Sequence, residues 1–144
     1  MSVLKNERMK IMLDEGAIMP VRAHEFDAGL DLFAREYGIL RPCSNLLVDT
    51  GVHMQIPEGF VGLLRSRSGL MVNHNIVTDG TIDSHYTGSI KVKLFNLNRK
   101  DYHIKAGDKI AQLVIFPCGL PQLELVYTLD DTDRGDNGFG STGR

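Results

Sequence analysis

The period of the apolar residues limits the fold more than any other feature. Val52, Met54 and Ile56 alternate with His53 and Gln55, and Ile90, Val92 and Leu94 alternate with Lys91 and Lys93. A period of two sends successive side chains to opposite faces of a strand and gives a helix no apolar stripe. Glycine and proline punctuate such runs, so that "LLVDTGVHMQIPEG" reads as two strands around Asp49-Thr50-Gly51. "KIAQLVIFP" is almost continuously apolar, the pattern of a strand covered on both faces, with Gln112 the exception inside it. No long stretch has helical spacing. One short helix is expected after Ser68, with Ser68 as its cap. Many short strands and frequent turns predict an all-β barrel or sandwich, with the first strand near Lys10. Core-forming residues stop near Asp130, which predicts one domain over residues 1–144, with a core from 10 to 129 and a tail from 130 to 144.

A chain of 144 residues can enclose a real hydrophobic core. Its net charge of -2 gives no bulk reason to expect nucleic acid or a membrane as partner, although a local arginine cluster can still take a small polyanion. No apolar run approaches the length of a membrane span, and no signal-peptide pattern opens the sequence. Cys43 and Cys118 lack CxxC spacing and read as free thiols of a reducing compartment. The expectation is a cytoplasmic enzyme or binding protein. The five histidines are scattered without zinc-ligand spacing.

Five stretches are unlike plain scaffold. In "DAGLDLFA", Asp31 interrupts an apolar alternation and needs a partner, which a metal or an arginine would supply. In "LLRSRSGL", Arg65 and Arg67 alternate with Ser66 and Ser68 before Gly69 frees the backbone; this is either a solvated strand end with a helix cap or an anion cradle. In "DGTIDSHYTGS", Gly80 and Gly88 bracket a hairpin or tight loop from which Asp83 and Tyr86 would point, Asp83 being placed to orient and deprotonate a water. In "AGDKIAQLV", Gly107-Asp108 is a turn, and Gln112 is an amide that must find partners if buried. The tail "RGDNGFGSTGR" is either simple disorder or a lid: glycine amides and arginine forks suit phosphate oxygens, and a lone phenylalanine offers a flat face to a nucleobase.

In order and spacing, "AGLDL", "RSRSGL", "GTIDSHYTGSIKV", "GDKIAQLV" and "RGDNGFGSTG" resemble the five motifs of the trimeric deoxyuridine triphosphatases (dUTPases). The resemblance runs from about Lys10 to the C-terminus. It implies a β-barrel of jelly-roll type assembled as a homotrimer. It also implies hydrolysis of dUTP to dUMP and pyrophosphate with Mg²⁺, which limits uracil in DNA and supplies dUMP for thymidylate. Asp83 then corresponds to the residue that binds the sugar 3′-hydroxyl and orients the attacking water, and Tyr86 to the ring against the deoxyribose. Backbone groups of Gly80, Thr81 and Ile82 would read uracil, with Lys91 beside them. Arg67, Ser68, Gly69 and Gln112 would hold phosphates. Asp31 would hold water on the magnesium rather than bind the metal directly. Arg134, Phe139, Gly140, Ser141 and Thr142 would form the lid.

Two positions depart from the family pattern. His85 stands where an acidic residue is usual, and Ser66 where proline is frequent. Two other functions compete with dUTP hydrolysis. A dCTP deaminase of the same fold needs a catalytic glutamate, which the site-forming stretches do not offer, and would not be expected to carry this tail. A regulator that binds nucleotide without turnover is opposed by Asp83, Tyr86 and the complete tail.

Overall fold

The structure, a computed structural model, describes residues 8–138. Its strands are β1 (Lys10–Leu13), β2 (Gly29–Phe33), β3 (Gly38–Leu40), β4 (Asn45–Asp49), β5 (Val52–Gln55) and β6 (Phe60–Arg65). After the single short helix α1 (Ser68–His74) come β7 (Ile76–Val77), β8 (Asp79–Ile82), β9 (Lys91–Asn96), β10 (Tyr102–Ile104) and β11 (Lys109–Pro117). The fold is all-β, as the alternation predicts. A four-stranded sheet runs in the order β2-β11-β6-β8 and a three-stranded sheet in the order β4-β9-β7; β1 pairs with β5, and β10 with β3. Every ladder is antiparallel. The strand pairing among the described residues does not close into a ring.

The alternations land where the period places them. Ile90, Val92 and Leu94 are buried while Lys91 and Lys93 are exposed, and Val52, Met54 and Ile56 face the same core. Each such side chain contributes about 1.5–3 kcal/mol relative to exposure. The strands around Asp49-Thr50-Gly51 do not pair with each other. β4 pairs with β9 and β5 with β1. The chain changes sheets at Gly51, where φ is +68° and glycine has no Cβ to clash. Buried Thr50 secures the corner: its hydroxyl donates to the Ile90 carbonyl (2.7 Å) and accepts from the Val52 amide (3.2 Å).

Two expectations are corrected. Ser68 is the first helical residue rather than the cap; Arg67 occupies the cap position, and no side chain caps the helix. The hydroxyl thus lies one residue too late to accept from the first-turn amides. β11 is flanked on both edges by β2 and β6, yet only Ile110, Ala111 and Leu113 are fully covered, and Phe116 is 56 % exposed. Among the described residues the last strand ends at Pro117. Leu120, Leu123, Leu125, Tyr127 and Leu129 are all exposed, and among the described residues no strand pairs with this segment.

Candidate active site

Residues directly opposite in neighbouring antiparallel strands share a face, and one such row carries most of the polar chemistry. Asp31 on β2 lies opposite Gln112 on β11, Gln112 opposite Arg65 on β6, and Arg65 opposite Asp79 on β8. The adjoining row, Leu30, Leu113, Leu64 and Gly80, alternates to the core face. The sheet therefore separates core from site by residue parity. The Gln112 side chain lies over Gly29, where an added Cβ would come within 2.1 Å of Oε1, so any larger residue there would displace the Gln112 amide. Gln112 Nε2 donates to the Ser66 carbonyl at 3.1 Å, which satisfies the amide that the sequence left without a partner.

Asp31 is only 8 % exposed. Of the two partners considered for it, the arginine is found, together with a lysine. Arg67 Nε lies 3.2 Å from Oδ1 and Lys109 Nζ 2.8 Å from Oδ2. The lysine reaches it through an irregularity. In the β2–β11 ladder Lys109 pairs with Phe33 and Ala111 with Leu32, so Ile110 is an extra residue on β11. A bulge of this kind re-aims one side chain; it puts Lys109 on the Asp31 face while Ile110 stays buried. The Gly107-Asp108 turn before it is held by Gly107 N–H to Ala34 O (2.7 Å) and Ala34 N–H to Asp108 O (2.9 Å), with Gly107 at φ +89°.

Arg67 is placed by the segment joining β6 to α1. Ser66 Oγ donates to the Thr78 carbonyl (3.0 Å) and accepts from the Thr78 amide (2.9 Å). The serine standing where the family often has proline thus clips this segment to the chain just before β8. Arg67, Gly69 and Lys109 line an open cleft of about 470 Å³ with Leu70, Asn73, His74, Tyr102, Gly107 and Asp108. The His74 and Tyr102 rings meet at 4.9 Å between centroids. Burial pushes the Tyr102 phenol above its ordinary value, with Asp108 adding to the rise and nearby Arg67 opposing it. Ser68 and Gly69 open α1 and are exposed, and first-turn amides have no acceptor within the helix. The cleft therefore offers two cationic side chains and free N–H groups to an anion.

The base-reading candidates sit elsewhere. Gly80, Thr81 and Ile82 lie on β8, an edge strand paired only with β6. Its outer side presents backbone donors and acceptors without ladder partners. β8 and β9 belong to different sheets, so the segment between them is a loop rather than a hairpin. Asp83 opens a turn closed by the Tyr86 amide on its carbonyl (3.0 Å) and is exposed. The Tyr86 ring folds back over Gly88, and its hydroxyl donates to the Ser89 carbonyl at 2.9 Å. Lys91 is exposed opposite Asp49. His85 Nε2 stands 3.5 Å from Glu58, not from Asp83, and both side chains are 84 % exposed.

Asp83 and Arg67 lie beyond opposite ends of the β6–β8 ladder, which pairs Gly62 with Ile82 and Arg65 with Asp79. That paired stretch alone spans about 10 Å. One chain brings Arg67, Gln112 and Asp31 together, with Gly69 at the cleft and Ser68 beside it at the start of α1, and keeps Asp83 and Tyr86 apart from them. Arg134 forms a local turn, its Nε donating to Asn137 O at 3.0 Å. Phe139, Gly140, Ser141 and Thr142 lie outside the described residues. Among the described residues, no group of three or more His, Cys, Asp or Glu is arranged to hold a metal ion, and no helix is long and apolar enough to cross a membrane.

Sequence reasoning missed Lys109, His74 and Tyr102. Lys109 stands within a quoted motif, but without the bulge its parity points away from Asp31. His74 and Tyr102 belong to no motif and meet only through the fold.

Residues 15–143 match the dUTPase family. A deoxyuridine 5′-triphosphate nucleotidohydrolase of Clostridium kluyveri is 46 % identical over 134 residues, covering 91 % of this chain and 94 % of its own. The protein of the same name from Mus musculus is 42 % identical over 135 residues, covering 93 % and 83 %. Among solved structures, the Staphylococcus bacteriophage 80alpha dUTPase with dUPNHPP superposes with a TM-score of 0.91 at 32 % identity, over 96 % of this chain and all of that one. A mutant dUTPase from phage phi11 of S. aureus, described for its coordination of a structural Mg(II) ion, has a TM-score of 0.80 at 33 % identity, over 85 % of this chain and 98 % of its own.

Proposed function

The chain belongs to the dUTPase family, and on that premise we infer that it hydrolyses dUTP to dUMP and pyrophosphate, with its working groups divided between two ends of one sheet. Water attacks the α-phosphorus, the bond to the bridging oxygen of the β-phosphate breaks, and pyrophosphate leaves. The observation that carries the residue assignment is the edge strand β8, open along its outer side and leading directly into Asp83. Uracil presents one N–H between two carbonyl oxygens, and the free groups of Gly80, Thr81 and Ile82 suit that alternation. Asp83 binds the 3′-hydroxyl and orients and deprotonates the water, and Tyr86 supports the deoxyribose where a 2′-hydroxyl would clash, with Lys91 beside the base-reading strand. Arg67, with Ser68, Gly69 and Gln112, holds the phosphate chain, fixed before substrate arrives, and such preorganised charge is the main source of rate in phosphoryl transfer.

The donor set fits magnesium held through water. Asp31 gives each oxygen one cationic partner, and a carboxylate has about four lone-pair sites, which leaves room to accept from metal-bound water. Magnesium would arrive on the triphosphate oxygens, keep several waters, and neutralise phosphate charge.

The separation of Asp83 from Arg67 supports a site completed between copies of the chain. The exposed apolar run from Leu120 to Leu129 supports a partner surface for it. We place both in a homotrimer, with residues 10–129 as the β-barrel core and arm, and 130–144 as a lid carrying Arg134, Phe139, Gly140, Ser141 and Thr142 over the nucleotide. The substrate is a soluble nucleotide, which points to the cytoplasm. The test is pyrophosphate release from dUTP, dCTP, dTTP and UTP. Turnover of dUTP alone is expected, because cytosine would leave buried groups unpaired. Equal turnover of dCTP or dTTP, or ammonia release from dCTP, would overturn the assignment of β8.

A further inference from the structure

His53 is bracketed by two groups that can only accept. Its Nδ1 lies 2.8 Å from the Thr87 carbonyl oxygen and its Nε2 3.1 Å from Asp14 Oδ1. A neutral imidazole has one N–H and one lone pair, so it can satisfy only one of these; both contacts require the imidazolium. Thr87 is the residue after Tyr86, and the loop from Asp83 to Ser89 has few other attachments. Ser89 Oγ donates to Asp49, and the Ile90 amide donates to Val52 O at 2.8 Å. His85 and Glu58 are too exposed for their pairing to hold much. On the N-terminal side the turn is anchored by Ile82, which pairs with Gly62; on its C-terminal side the bond to Thr87 from partly buried His53 is the nearest attachment to the sheet.

The charges around the ring come from Asp14, Asp49 and Arg35, with Lys91 acting on Asp49 from β9. Asp14 follows β1, whose Met12 pairs with His53. Arg35, after β2, lies 3.8 Å from Asp14 and 3.1 Å from Asp49. Asp49, at the end of β4, is held below its ordinary value mainly by the Ser89 hydroxyl, with burial opposing and the Gly51 amide and Arg35 assisting. Its charge therefore persists throughout the neutral range.

We propose that protonated His53 is a positioning residue that holds Thr87, and through it the Asp83–Tyr86 turn, in place for the nucleotide. On loss of the proton the remaining N–H stays with Asp14, since a hydrogen bond to a carboxylate is the stronger. Nδ1 then turns a lone pair on the Thr87 carbonyl, and the turn is released. The Thr87 carbonyl, together with Asp14 and Asp49, raises the ring above its ordinary value against the opposing effect of burial. The sign follows: the clamp is complete below about 6.5, the ordinary imidazole value, and is lost as pH rises through the folded value. The inference rests on the reading that Asp83 and Tyr86 meet the nucleotide.

NMR titration of the full chain in its native assembly reads the clamp without catalysis. The His53 ring is expected to titrate above its ordinary value, with the Asp83–Tyr86 amide signals moving at the same midpoint, and Asp14→Asn is expected to lower that midpoint. A ring titrating at or below the ordinary value, or turn signals indifferent to it, would overturn the proposal. In kinetics, KM for dUTP is expected to rise about tenfold through the same midpoint, the scale of one charged hydrogen bond, with kcat nearly constant. A merely destabilised fold would instead lower kcat through the active fraction. His53→Leu is expected to show the high KM at every pH, and His53→Asn, whose amide can donate to Thr87 without titrating, a low KM without pH dependence. Wild-type KM and pH dependence in folded His53→Leu would reject it. Asp83→Asn assayed in parallel separates the two readings: normal turnover there removes the role of Asp83, while the ring titration still decides His53.

Discussion

At the Arg65–Asp79 end of the β6–β8 ladder the charged groups are already paired within the chain, whereas at the Gly62–Ile82 end the chain offers a bare strand edge and an exposed acid. Arg65 meets Asp79 at 2.9 Å, and Asp31 holds both Arg67 and Lys109. Asp83 stands on a turn with nothing packed over it that buries it. The two ends face different physical problems. A polyanion is stabilised only by dipoles and charges set before it binds, because reorganising them afterwards consumes the interaction. A planar base needs a close-fitting slot, and a slot can be completed by assembly. One end therefore is built locally, and the other is left open within a single chain.

The sharpest way to break this contrast is at its catalytic pole. Asp83→Asn is expected to keep most affinity for a non-hydrolysable analogue and to lose turnover by ~10²–10⁴, the range for a general base. The same variant tests the division between chains. Trimers re-formed from Asp83→Asn chains and chains lacking residues 134–144, each nearly inactive alone, are expected to regain activity once differently tagged subunits are shown to have exchanged. Mixed trimers without recovery would mean that the tail and Asp83 of one chain serve the same site.

A smaller effect is expected at the built end. Lys109→Met leaves Asp31 with one cation instead of two. Breaking a buried pair costs about 3–5 kcal/mol, and Lys109 is partly exposed, so a loss of about 2 kcal/mol is expected as a lower urea midpoint with unchanged slope. An unchanged midpoint would show that Arg67 alone compensates Asp31. The least is expected from Arg65→Gln. Its pair with Asp79 has side chains 58 % and 79 % exposed, and such pairs contribute about 0–1 kcal/mol. A fall in thermal midpoint as large as that of Lys109→Met would erase the distinction between the two ion pairs.

The same contrast governs what the sequence discloses. Period-two runs such as Ile90-Val92-Leu94 are local statements, and they place faces correctly because parity is a property of each strand. Asp31 announced its need for a cation because an acid among leucines is costly wherever it folds. The lysine that answers it was hidden, since the extra residue at Ile110 changes parity without changing composition. The Ser68 cap failed by one position, which is the scale on which helix ends are set by neighbouring packing. The segment from Leu120 to Leu129 reads as core because it is apolar, yet within the chain its apolar side chains are exposed. In the sequence His53 is only the polar half of an alternating strand; the fold brings Thr87 and Asp14 to its two nitrogens.

The bulge at Ile110 also bears on how such a chain can change length over generations. Losing that one residue would return β11 to strict alternation with Lys109 still opposite Phe33 and Gln112 and Leu113 still in register, but it would remove the buried Ile110 side chain from the core. Losing any residue between Ala111 and Leu113 would instead carry Gln112 or Leu113 across to the wrong side of the sheet. Insertions and deletions are thus confined to the connections, such as exposed Glu36 and Tyr37 before β3 or the segment before Tyr102, and β11 behaves as a ruler whose single irregular mark must be copied with the rest.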